Sequence, residues 1–302
     1  MALKTPQICW MGSAILFNLH FATMALRVFF SSLLALLLLT AHSFAQSRSG
    51  NVELVVEARL IEDGPTIESG LIWRVYPAVQ AGEELPDPVA MEEGGTASFT
   101  LPAGVYIVHA GYGRAAITRR VDIQDSDQVV PFVLHAGGLQ LTAEAEGREL
   151  PGGDLRFTIY DMAQDEDGDR RIIARNVSAN SLVRLNEGTY HVVSRYGTIN
   201  ASVRADLEVT AGKVTRATLQ QRGARIALKL VSKEGGDPVA NTAWTVLTDQ
   251  GEKVFVSNTV SPSLILAEGA YEASVRNGSV TYVHNFEVKS GEDRDVEVLL
   301  GQ

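Results

Sequence analysis

One short string recurs three times along the chain. Leu101-Pro-Ala-Gly104-Val-Tyr106 returns as Leu185-Asn-Glu-Gly188-Thr-Tyr190 and again as Leu266-Ala-Glu-Gly269-Ala-Tyr271. The glycines are 84 and 81 residues apart. A second glycine follows each by nine residues (Gly113, Gly197, Gly278), and a large aromatic precedes each by 25 to 31 (Trp73, Phe157, Trp244). Downstream, Val121-Asp-Ile123, Leu207-Glu-Val209 and Phe286-Glu-Val288 again match. Four features kept in step three times make the chain a tandem array of one unit. Whatever fold that unit can adopt, the chain adopts three times.

The unit reads as all-β. Its opening run alternates apolar residues: Leu54, Val56, Ala58, Leu60; then Leu139, Leu141, Ala143; then Ile226, Leu228, Leu230. A period of two with polar residues between means a strand half-buried against a second layer. About seven such runs per unit, punctuated by Gly, Pro, Asp and Asn, predict a seven-stranded two-sheet sandwich. The expected units are residues 46–137, 138–223 and 224–302. No Ser- or Pro-rich spacer separates them, which predicts a semi-rigid string of sandwiches rather than freely tethered domains.

The repeated Leu-x-x-Gly-x-Tyr has a structural job. The leucine closes one strand into the core. Gly104, Gly188 and Gly269 take a turn where a side chain fits poorly. Tyr106, Tyr190 and Tyr271 open the next strand, ring inward, with a hydroxyl free to bond backbone at the corner. Trp73, Phe157 and Trp244 are expected as core aromatics.

On this motif the units resemble carboxypeptidase-regulatory-like domains, which are prealbumin-like (transthyretin-like) sandwiches of exported bacterial proteins. Gly236-Asp-Pro238-Val-Ala-Asn-Thr-Ala-Trp244 is similar to that family's turn into its second strand. Immunoglobulin-like modules share the same degenerate motif, so both strand orders stay open. The resemblance covers residues 51–302 and implies an accessory, non-catalytic fold with no active site to carry over.

The N-terminus reads as an address. No acid precedes Glu53, Arg27 forms a positive start, and Val28–Leu39 is apolar apart from two serines. Ser43-Phe44-Ala45 fits a small-x-small cleavage site, so residues 1–45 are expected to be a signal peptide, with translation starting at Met24. Retention as a membrane anchor is the alternative, though Asn18, His20 and Arg27 interrupt it. Cleavage would remove Cys9, the single cysteine, together with Lys4 and Arg27. That leaves 26 − 2 = 24 basic residues against 36 acidic, a net charge of −12. Such a balance disfavours nucleic acid and anionic lipid as partners.

Signals for chemistry are few. Asp165-Glu-Asp167-Gly168-Asp169 has calcium-loop spacing at its start, but Arg170 stands where the loop needs glycine and Asn176 where it needs a bidentate glutamate. A solvated acidic turn is the plainer reading. His109, His135, His191 and His284 lack metal-ligand spacing. There is no nucleophile elbow, phosphate cradle or cofactor motif. The sequence thus predicts an exported, non-enzymatic module of a bacterial envelope, periplasmic or secreted. Its expected partner is another envelope protein or itself. The alternative is a carbohydrate-binding or accessory module, with Tyr112 and Tyr196 beside the repeated second glycine as a contact surface and Tyr160 and Tyr282 as further candidates. A hydrolase built from unrecognised residues comes last.

Overall fold

A computed structural model describes residues 50–80 and 82–301. The signal-peptide reading of residues 1–45 lies outside the described residues. The rest is all-β in three sandwiches. The first holds β1 (Asn51–Arg59), β2 (Leu71–Pro77), β3 (Ala90–Gly94), β4 (Ala97–Pro102), β5 (Gly104–Tyr112), β6 (Ala115–Ile123) and β7 (Gln128–Val133). The second holds β8 (Ala136–Ala145), a two-residue β9 (Arg148–Glu149), β10 (Leu155–Gln164), β11 (Arg170–Val177), β12 (Leu182–Asn186), β13 (Gly188–Tyr196), β14 (Ser202–Val209) and β15 (Val214–Gln220). The third holds β16 (Gly223–Val231), β17 (Thr242–Thr248), β18 (Lys253–Ser257), β19 (Ser263–Ala267), β20 (Gly269–Asn277), β21 (Val280–Val288) and β22 (Arg294–Leu299).

Each sandwich faces a core of three strands with a four-stranded sheet, the second adding the short β9 beside β8. The orders are β4-β1-β7 with β3-β2-β5-β6, then β12-β8-β15 with β11-β10-β13-β14, then β19-β16-β22 with β18-β17-β20-β21. The opening strand pairs antiparallel with the strand before the tyrosine corner and parallel with the closing strand. An immunoglobulin constant domain sets ABED against CFG instead. The order here, with the opening strand central in the smaller sheet and β2, β10 or β17 in the other, is not that of an immunoglobulin constant domain.

Alternation in the sequence becomes alternation in burial. Leu54, Val56 and Ala58 of β1, Leu139, Leu141 and Ala143 of β8, and Ile226, Leu228 and Leu230 of β16 all point into their cores. Trp73, Phe157 and Trp244 are fully buried. Trp73 meets Phe132 edge-on, ring centroids 5.2 Å apart, a favoured aromatic geometry. The tyrosine corner is built three times. Tyr106, Tyr190 and Tyr271 donate their hydroxyls to the carbonyls of Pro102 (3.1 Å), Asn186 (2.8 Å) and Ala267 (3.0 Å), each four residues back. Between each donor and acceptor stands a glycine with φ of 155°, 145° or 152° (Gly104, Gly188, Gly269), where a Cβ would be strained.

The two core tryptophans differ in one bond. Trp73 Nε1 donates to the buried Gly95 carbonyl at 2.7 Å. Trp244 Nε1 is buried without a partner. Trp73→Phe strands a carbonyl, whereas Trp244→Phe deletes a donor that was already unpaired. An unsatisfied buried group costs about 1–3 kcal/mol. Thermal unfolding of the two variants should therefore show a clearly larger fall in Tm for Trp73→Phe; equal falls would contradict the assigned bond.

Candidate functional site

Only two residues separate consecutive sandwiches: Leu134-His135, then Gln221-Arg222. So short a connection forces the ends of neighbouring units together, and the backbone groups there need partners. The structure supplies them twice in the same pattern. Leu134 N–H donates to Arg59 C=O (2.9 Å) and Gln221 N–H to Glu144 C=O (2.7 Å), so each linker continues the opening strand's bonding. Glu187 N–H donates to His135 C=O (2.7 Å) and Glu268 N–H to Arg222 C=O (3.1 Å), tying the glutamate of the repeated motif to the linker.

These bonds extend strand ladders within a sandwich; a side-chain bond crosses each junction, between two fixed positions. One is three residues past Gly113 or Gly197; the other follows Leu185 or Leu266. In the first junction Asn186 sits on the upper unit, where its Oδ1 accepts Ala116 N–H (3.0 Å) and its Nδ2 donates to Leu134 C=O (2.8 Å). In the second, the asparagine has changed sides. Asn200 on the lower unit accepts Ala267 N–H (2.9 Å) and donates to the Tyr271 hydroxyl (2.8 Å). Each time an amide side chain on one unit answers a backbone N–H of the other.

Packing closes the contact. Across the first junction the Arg184 guanidinium lies 4.3 Å above the Tyr112 ring, a cation–π contact, and Arg114 N–H donates to Arg184 C=O (3.0 Å). Across the second, Ile265 of the third unit is buried in the core of the second, and Ile199 of the second packs against the core of the third. Gln221 is 2% exposed and donates through Nε2 to Ser194 Oγ (2.8 Å), while Ser290 Oγ donates to its carbonyl (3.2 Å). Arg225–Asp154 (2.5 Å) and Arg148–Asp293 (3.2 Å) bridge the rim. Being partly exposed, such pairs add about 0–1 kcal/mol each.

This geometry corrects the reading of Tyr112 and Tyr196 as a contact surface. Tyr196 is 1% exposed in the second core, and burial pushes its phenol pKa up. Tyr112 is half-buried beneath Arg184. Each sits where the next sandwich lands. The other candidates also take defined places. Asp165 opens the turn between β10 and β11, where its Oδ1 accepts the N–H groups of Asp167 (3.1 Å) and Asp169 (2.8 Å). Gly168 has φ 83° in that turn. Among the described residues no three His, Cys, Asp or Glu side chains converge as metal ligands. His191 Nδ1 lies 2.6 Å from Asp206 Oδ1 on the outer face of the second unit. His109 lies on that of the first, its pKa lowered by burial and then by Arg74. A surface depression of about 660 Å³ on the third unit has Tyr271 and Phe286 in its lining and Asp249, Glu272 and Glu287 around it. Among the described residues no helix is long and apolar enough to cross a membrane.

The fold and its junctions define a class: tandem β-sandwiches locked end to end. Within that class, residues 225–300, most of the third sandwich, match the Rgs_repeat family, described as the Rhizobiales growth-associated tandem repeat domain. No curated protein matches the chain. Among solved structures, the TIE protein of Bacillus anthracis is similar at 16% identity over 82% of this chain, with a TM-score of 0.23; the chain spans 50% of its length. The minor pilin GBS52 of Streptococcus agalactiae is similar at 15% identity over 56% of this chain and 94% of its own, TM-score 0.31. BcpA, the major pilin subunit of Bacillus cereus, is similar at 9% identity over 83% and 99%, TM-score 0.22. At such TM-scores none of these likenesses bears on what this chain does.

The repeated second glycine provides an internal control. A Cβ on Gly197 would lie 2.8 Å from Ile265 Cβ, and φ there is 70°. At Gly278 φ is 61°, yet a Cβ would meet nothing within 4 Å. Gly278→Ala should cost only the backbone term, about 1–2 kcal/mol. Gly197→Ala adds overpacking of about 1–3 kcal/mol and should open the second junction to proteolysis near Gln221. Equal Tm losses, with no new cleavage, would contradict the interlock.

Proposed function

We propose that this protein is an exported, non-catalytic structural module of a bacterial envelope, made of three sandwiches (46–137, 138–223, 224–302) that act as one stiff spacer. The observation that carries the reading is the junction, built twice with the same backbone bonds and with an asparagine on opposite sides. A flexible linker would need none of these bonds. Polar side chains able to do chemistry are committed to structure: Asn186 and Asn200 to the junctions, Asp165 to a turn. The apolar run Val28–Leu39 and the Ser43-Phe44-Ala45 site support export and a periplasmic or secreted location. The name of the family matched by residues 225–300 supports a bacterial setting. The net negative surface supports a protein partner over nucleic acid or anionic lipid. A glycan-binding role has less support now that Tyr196 is buried and Tyr112 half-buried.

Stiffness is measurable directly. In a Cys9→Ser background, spin labels at Arg120→Cys with Arg175→Cys, and at Arg175→Cys with Thr281→Cys, report each junction separately. The spacer reading predicts one narrow distance distribution per pair. A broad distribution spanning tens of ångströms for either pair would contradict it.

A further inference from the structure

The outer face of the third sandwich has a symmetry that the other two lack. Its register places Val256, Thr245, Ser274 and Val283 in one row across the four strands β18, β17, β20 and β21. The row points away from the core, and Val256 and Val283 at its ends are 60% and 54% exposed. It carries no charge. On β20, Glu272 lies two residues to one side of Ser274 and Arg276 two residues to the other. Neither forms an ion pair among the described residues. On β17, Leu247 and Ala243 flank Thr245 in the same manner.

From this pattern we infer that the face binds a second copy of this chain through a two-fold axis running along the row. Such an axis leaves each residue of the row opposite its own image: valine on valine, threonine on threonine, serine on serine. It exchanges the two flanks. Glu272 then faces Arg276 of the second copy, Arg276 faces Glu272, and Leu247 faces Ala243. Strands of the copies run antiparallel across the contact, compatible with the near-aligned packing of two twisted sheets about 10 Å apart. An isologous contact needs this self-complementarity, because every residue off the axis must suit the residue related to it.

The equivalent rows fail the same operation. In the first sandwich the row is Met91, Arg74, His109 and Thr118, so Arg74 would meet Arg74. In the second it includes Thr158, Val193 and Arg204, so Arg204 would meet Arg204. Like charges brought together in a contact oppose it. The dimer therefore forms through the third unit and leaves the other faces free.

Size sets its strength. Four strands about 4.8 Å apart and five residues at about 3.4 Å each cover roughly 300 Å² of sheet per copy. That is below the roughly 800 Å² per partner of a standard stable interface, so the dimer is weak and concentration-dependent. The inference goes beyond the spacer reading and does not need it; junction stiffness and dimerisation are read by different measurements.

Sedimentation equilibrium of the full chain over a wide concentration range tests it, with circular dichroism and Tm confirming that each variant folds. A reversible monomer–dimer equilibrium is expected. Glu272→Arg breaks both symmetric ion pairs and should weaken the dimer at least about tenfold. Val283→Lys should do the same by charging the row. The exchange Glu272→Arg with Arg276→Glu restores the complementarity and should bring the dissociation constant back to within about threefold of the parent. A chain that stays monomeric throughout would overturn the inference. So would a dimer indifferent to Glu272→Arg and Val283→Lys, which would place self-association elsewhere, or an exchange variant no better than Glu272→Arg alone.

Discussion

The architecture rests on backbone hydrogen bonds at linkers only two residues long. Glu187 N–H on His135 C=O, and Glu268 N–H on Arg222 C=O, extend the β12–β8 and β19–β16 pairings of the upper sandwich into its connector. So short a link brings neighbouring units within bonding distance, where Asn186 answers Ala116 N–H and Asn200 answers Ala267 N–H. Pairing them fixes where the repeated motif of one unit sits above the hairpin of the unit below. The cation–π contact of Arg184 on Tyr112 and the exchange of Ile199 and Ile265 then fill the space that this placement leaves.

One motif consequently serves two purposes. Within a sandwich, Leu-x-x-Gly-x-Tyr turns the chain and satisfies a carbonyl through the tyrosine hydroxyl. Between sandwiches, the residues around its leucine and glycine become the landing surface. Tyr271 shows both at once: its hydroxyl donates to Ala267 C=O and receives a bond from Asn200 of the unit below. A residue that stabilises its own unit while orienting the next couples local folding to tandem geometry.

Much of this was legible in the sequence. Alternation in Leu54–Leu60 and its equivalents reports burial because a strand's side-chain period is fixed at two. Spacing of glycine and tyrosine reports the corner because positive φ and a four-residue reach are local properties. Strand order was not legible, because both candidate orders bury the same alternating positions. Tyr112 and Tyr196 misled for another reason. Tyr196 packs into the core of its own sandwich and Tyr112 lies against its own core beneath Arg184 of the next, and neither contact is local in sequence. A clue was nevertheless present. Tyr112-Gly113 and Tyr196-Gly197 sit at the two junctions, while the third unit has Asn277-Gly278, whose Asn277 bonds the carbonyls of Ala240 and Asn241 in its own sandwich. The migration of asparagine from Asn186 to Asn200 hid the junction further, because the same bond is kept while the side chain moves to the opposite partner.

Amide hydrogen exchange resolved residue by residue tests the central claim most directly. The N–H groups of Arg114, Ala116 and Ala267, whose acceptors lie on the neighbouring unit, should exchange as slowly as those in the middle of β8 and β16. Exchange of these three at the rate of the exposed turn between β10 and β11 would show that the units part freely, and would contradict the interlock.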